Sequence, residues 1–171
     1  MPVRFSRYFI VSLCIVVLAT VSNTLFASSS ENSAAPDFSL TKINKEGKVN
    51  LKDLKGRVVY LDFWATWCPP CRKSFPWMEE MHTRYHNDGL TIVAISVDSK
   101  HELAEKFVQD LKPSFISAHD PAKKTAKLYN LKAMPSSYLI DRNGNIISTH
   151  LGFRSSKSKI IEAEIKAALL Q

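Results

Sequence analysis

Residues Val58 to Trp77 read VVYLDFWATWCPPCRKSFPW. Apart from Asp62, the first seven are β-branched, aromatic or aliphatic, as in a central strand buried on both faces. Cys68 and Cys71 follow, with two prolines between them. Beyond them Phe75, Met78, His82 and Tyr85 recur at spacings of three and four, one face of a helix that Asn87-Asp88-Gly89 should end and Pro76 should kink. A thiol pair between a buried strand and a helix admits three uses: a structural disulfide, half of a metal site, or a redox couple.

Working outward, DFSLTKI (37–43) alternates weakly and is expected as an edge strand, and VNLKDLKG closes on Gly56. LTIVAISVD (90–98) is a second buried strand. Leu103, Phe107 and Leu111 mark a second helix, stopped before Pro113, and SFISAHD is a short strand. Asp120-Pro121 has the form of an N-cap with proline at the first helical position. SSYLID and NIISTHLGF form a hairpin around Asn143-Gly144. Ile161, Ile165, Ala168 and Leu169 give a last helix its buried face. Early strand–helix alternation and a late hairpin predict an α/β domain, a central mixed sheet with helices on both faces.

The 171 residues suit one domain with a real core, and composition is ordinary at 45% hydrophobic and 23% charged. The opening residues differ. Arg4 and Arg7 precede an apolar run of 14 residues, Tyr8 to Val21, and a small residue stands at Ala27. Residues 1–27 are therefore expected to be a secretory signal peptide or an N-terminal membrane anchor. Either places the domain outside the cytoplasm, in a periplasm or on the outer face of the cytoplasmic membrane. Leu13 before Cys14 does not suit lipidation. Residues 28–35 read as a flexible tether and 36–171 as the folded domain. Without Arg4 and Arg7 the chain carries 21 basic and 16 acidic residues, scattered, so no nucleic-acid footprint is indicated.

The cysteine pair favours redox chemistry. A strand delivers Cys68 to the end of the sheet, and the following helix directs N–H groups and partial positive charge at its sulfur. Both favour the thiolate, which makes Cys68 the expected nucleophile and Cys71, one turn in, the resolving thiol. Pro70 fits the first helical turn, where no N–H is needed. A structural disulfide would close too short a loop to stabilise much. Zinc would need more ligands; His82 and His86 are four apart but lack the glutamate of a metalloprotease pair, and are expected as helix-surface histidines. Copper held by Cys68, Cys71 and Met134 stays open as a delivery module.

The segment VVYLDFWATWCPPCRKSFP resembles the active-site segment of thioredoxin-fold proteins, and most closely the exported TlpA/ResA-like thiol-disulfide oxidoreductases. APDFSLTKINKEGKVNLKDLKGRVVYLDFWATWCPPC and LYNLKAMPSSYLIDRNGNII resemble that group's two halves. The resemblance covers residues 34 to 170 and implies a three-layer thioredoxin-like fold. It implies that Asp62 is a buried acid behind Cys71 that relays its proton, that Pro135 is a cis-proline beside the disulfide offering backbone to a substrate strand, and that Pro76 kinks the helix. Some members carry glutamate where this chain has Ser74. Trp67, Met134 and Pro135 are expected to form the rim that receives a partner.

The expected activity is thiol-disulfide exchange with disulfide or dithiol partner proteins, as a reductant re-reduced by a membrane electron donor, in cytochrome c or copper-site maturation. No organic cofactor, no resident metal, no nucleic acid and a monomeric state are expected. The enzymatic alternative is a thiol peroxidase, whose threonine would stand where Ala65 does.

Overall fold

The computed structural model describes residues 33–43 and 45–171. The stretch read as signal or anchor, and residues 28–32 of the tether, lie outside the described residues. Among the described residues no helix is long and apolar enough to cross a membrane.

Eight strands form one mixed sheet in the order β1-β8-β7-β4-β5-β6-β2-β3. They are β1 (Ser33–Ala34), β2 (Ser39–Lys42), β3 (Lys48–Asn50), β4 (Val58–Trp64), β5 (Leu90–Ser96), β6 (Ile116–His119), β7 (Ser136–Ile140) and β8 (Asn145–Leu151). The helices are α1 (Pro69–Tyr85), α2 (His101–Leu111), α3 (Lys124–Leu128) and α4 (Ser158–Leu169). β4 runs parallel to β5 and antiparallel to β7, with every residue buried, as its apolar run predicts. The thioredoxin-like architecture inferred from the sequence is the one observed.

Alternation along β4 divides the core. Val58, Tyr60 and Trp64 pack with side chains of α1, α2 and α4. Val59, Leu61 and Phe63 face Leu51, Ala126 and Tyr129. One face thus carries three long helices, and the other carries only α3 and a 3₁₀ turn at Leu51–Leu54. Trp64 stacks on Phe107 at 4.5 Å, and Phe75 meets both edge-on at 5.1 and 5.0 Å. This cluster fastens α1 and α2 to the C-terminal end of β4, where such ring pairs contribute about 0.5–1.5 kcal/mol each beyond area burial.

Several local expectations shift. β2 is not an edge strand: it lies between β6 and β3, because the short β3 pairs on its outer side. The sheet also takes in Ser33 and Ala34, the end of the supposed tether, paired with Ile146 and Asn145. α2 buries Ala104, Phe107 and Val108, while Leu103 and Leu111 are exposed. The small Ala104 lets the helix approach the sheet, which periodicity of large residues misses. His82 is not a surface residue: it is half-buried, and its ring contacts Phe115 and His86. Burial, then the neighbouring His86, lowers its pKa.

Asp120 caps α3 from farther away than expected. The helix begins at Lys124, not Pro121, and the buried carboxylate accepts the N–H groups of Lys124 (3.0 Å) and Ala126 (3.1 Å). Asp120→Ala removes the acceptor of one buried and one part-buried donor and should cost about 1–2 kcal/mol. Asp120→Asn, with one carbonyl oxygen left, should recover part of that loss. Urea unfolding measures both, and an alanine variant as stable as the parent would show that the cap contributes nothing.

Candidate functional site

The two cysteines are joined as a disulfide, with Cα atoms 5.3 Å apart. Cys68 is the N-cap of the 17-residue α1, and Pro69 and Pro70 open the helix. Prolines have no N–H, so the first donor of the helix belongs to Cys71. It lies 3.3 Å from Cys68 Sγ and 3.1 Å from the Cys68 carbonyl. The several N–H groups expected at the sulfur thus narrow to one, backed by the macrodipole of a long helix. Cys68 is 3% exposed and Cys71 fully buried, so a partner can reach only the first sulfur, across a narrow opening.

Trp67 is 64% exposed, the most open aromatic side chain by the site. Met134 is half-buried and contacts both core clusters. The Met134–Pro135 bond is cis, as the resemblance implies, and Pro135 is buried. The Pro135 carbonyl already accepts the Gly152 N–H at 2.7 Å. Ser74 is buried and donates to the Cys71 carbonyl at 3.0 Å, so the position that holds glutamate in some similar proteins here holds a helix-internal hydrogen bond.

Asp62 is 2% exposed and sits in the middle of β4 on the face that carries Cys71. Its Oδ2 has no hydrogen-bond partner among the described residues. Burial pushes its carboxyl well above the usual carboxylate range. Such a group gives up its proton less readily than an exposed aspartate and, once ionised, is a stronger base toward a nearby thiol.

The sequence reading missed Asp98. Its carboxylate accepts the Thr66 N–H (2.9 Å), the Thr66 hydroxyl (2.8 Å) and the Ser96 hydroxyl (2.9 Å). It thereby holds the loop that leads into Trp67 and Cys68 against the end of β5. A signal was available, related to the one that singles out Asp62: a lone acid closing the apolar run LTIVAISVD.

Residues 30–169 match the Redoxin family. The chain belongs to that family. It is 36% identical over 146 residues to the thiol-disulfide oxidoreductase ResA of Oceanobacillus iheyensis, covering 82% of this chain and 76% of that one. A solved structure from Chlorobium tepidum, assigned as a thiol:disulfide interchange protein DsbE, superposes with a TM-score of 0.79 at 47% identity, over 81% of this chain and 97% of that one. A secreted thiol-disulfide isomerase from Corynebacterium glutamicum superposes with a TM-score of 0.72 at 26% identity, over 80% and 86%. This Redoxin-family chain is a thiol-disulfide oxidoreductase of the ResA and DsbE type, with a Cys-Pro-Pro-Cys pair and thiol or disulfide partner proteins.

Burial of Asp62 has a thermodynamic consequence. The unfolded chain releases this proton near the ordinary 3.8, the folded chain only at higher pH. Between the two, the unfolded state binds fewer protons, so stability falls as pH rises through that window. Asp62→Asn cannot titrate. Its melting temperature relative to the parent should therefore rise from acid pH upward and level off above the folded pKa. A difference that stays flat with pH would show an unperturbed carboxyl.

Proposed function

We propose that the protein works outside the cytoplasm as a reductant of partner disulfides, with Cys68 attacking, Cys71 resolving and Asp62 handling the proton of Cys71. The observation that carries this reading is the buried Asp62, with one unpaired oxygen, on the Cys71 face of the sheet. Reduced Cys68, favoured as thiolate by the Cys71 N–H and the start of α1, displaces one sulfur of a partner disulfide. The leaving thiolate takes up a proton. The Asp62 carboxylate takes the proton of Cys71, whose thiolate attacks Cys68 Sγ and releases the second partner thiolate. Two electrons have then moved to the partner, and the Cys68–Cys71 disulfide remains.

Trp67, Met134 and Pro135 form the receiving rim. Because Gly152 already occupies the Pro135 carbonyl, pairing with a partner strand falls to the backbone just before it, at Met134. The substrates are proteins that need a cysteine pair reduced before a metal centre or haem is attached, as in cytochrome c or copper-site maturation. In an oxidising compartment the disulfide must be reduced again by a membrane electron donor. Export is supported by the basic and apolar opening of the sequence and by similarity to a secreted isomerase. The protein acts as a monomer, since one chain carries both thiols and the rim.

Two measurements test this. Cys71→Ser should accumulate a mixed disulfide with the natural partner on non-reducing gels, at least about tenfold over Cys68→Ser, because the resolving thiolate is gone. Equal trapping by both variants contradicts the roles. The reduction potential should lie near that of thioredoxin, about −270 mV; a value near the strong oxidant DsbA, about −120 mV, reverses the direction of electron flow.

A further inference from the structure

A proton accepted by Asp62 has to leave a carboxyl that is itself 2% exposed. The strand register restricts the way out. On the β5 side the residue opposite Asp62 is Ala94, which offers no polar side chain. On the other side Ser137 of β7 stands opposite Asp62, and His150 of β8 stands opposite Ser137. Directly opposed residues project from the same face, with Cβ atoms about 4.5–5.5 Å apart. Asp62, Ser137 and His150 therefore form a row running sideways across the sheet, on the face covered by α1 and α4.

Hydrogen bonds hold the row in two groups, one beside Asp62 and one at its outer end. Tyr60, two residues before Asp62 and on its face, donates to Ser137 Oγ at 2.7 Å. At the outer end Glu164 of α4 meets Ser148 Oγ at 2.7 Å and His150 Nε2 at 2.8 Å, and those two lie 3.2 Å apart. Exposure rises along the row, from Ser137 at 4% to the side chains of His150 at 18% and Glu164 at 35%. The groups facing Asp62 are Tyr60 on its own strand, Cys71 from α1 and Ser137 from β7, with His150 and Glu164 beyond.

We propose that His150 and Glu164 are the outlet through which Asp62 exchanges its proton with water, by way of the Ser137 and Tyr60 hydroxyls. The inference rests on the role of Asp62 in resolution. One proton enters Asp62 from the Cys71 thiol, leaving the electron pair on sulfur for the attack on Cys68. One proton leaves to Glu164 or His150 and then to water. Ser137 and Tyr60 each gain one proton and lose one. Ser137 accepts from Tyr60 and so has its own proton to give, and the route requires a bridging water at each of its two gaps, from Asp62 to Ser137 and from Ser137 to His150. Tyr60 takes part only as a neutral hydroxyl, since burial, with Asp62 and Glu164 both acting on it, pushes its ionisation out of range. His150 and Glu164 act through Asp62 and are positioning residues, not catalytic ones.

The test separates resolution from first attack by stopped-flow tryptophan fluorescence, in water and in deuterium oxide. Asp62→Asn, Tyr60→Phe, Glu164→Gln and the double variant His150→Ala/Glu164→Gln are compared. Resolution in Tyr60→Phe and in the double variant should slow about tenfold, a modest share of what positioned proton transfer contributes, and attack by Cys68 should not. Their solvent isotope effect should grow, and added imidazole should restore the double variant. Glu164→Gln alone, on a half-exposed side chain, should show a smaller slowing and serves if the double variant does not fold. If Asp62→Asn slows resolution while the outlet variants match the parent, the route is overturned and the role of Asp62 stands. Equal slowing of attack and resolution in the outlet variants means a structural role and also overturns the route. If Asp62→Asn itself resolves at the parent rate, both inferences fall.

Discussion

The structure depends on one constraint: β4 is buried along its whole length and bonded on both sides. Such a strand cannot end in solvent, and its last residues must pass straight into another element. Here they pass through Ala65 and Thr66 into the N-terminus of α1. That geometry puts Cys68 at the end of the sheet, on a helix cap, without any specialised loop. The same burial makes Asp62 unusual. Asp98 and Asp120 are as deeply buried but accept several hydrogen bonds, whereas Asp62 on β4 has an oxygen without a partner among the described residues, and burial raises its pKa.

The prolines refine that placement. They stiffen the turn and remove two N–H groups, so electrostatic help to Cys68 comes from one donor and from the dipole of α1. Asp98 holds the other side of the loop through Thr66. The nucleophile is thus fixed from the strand, the helix and the neighbouring strand end together. Positioning by several rigid elements is what an exchange reaction needs, because the attacking sulfur must line up with two others in the partner and its leaving group.

Electrons and protons use different parts of the domain. In the proposed mechanism electrons pass through Cys68 beyond the C-terminal end of β4, where Trp67 and Met134 form the rim that meets the partner. Protons have to be handled under the helices, where the partner never reaches. A mixed sheet suits this division, since β7 lies beside β4 and β8 beside β7, and they carry Ser137 and His150 across the covered face, whereas on the β5 side the residue opposite Asp62 is Ala94.

Much of this was legible in residue order. The apolar run of β4, the Cys-Pro-Pro-Cys junction and the Asn-Gly hairpin are local signals, because each depends on backbone chemistry within a few residues; the cis-proline after Met134 was expected from the family resemblance alone. Asp62 stood out as a charge inside an apolar run. What the order of residues left open depends on partners far along the chain. The position of β2 was set by pairing with β6, where Thr41 stands opposite His119 and Lys42 opposite Ala118. The buried face of α2 was set by the fit of Ala104 against the sheet, not by its largest side chains. Asp98 reaches Thr66 across 32 residues, and Ser137, His150 and Glu164 gather near Asp62 only after three strands and a helix have come together. Sequence determined which thiols do the chemistry; tertiary structure decided what surrounds them, because burial and cross-strand neighbours are properties of the packed sheet and not of any segment.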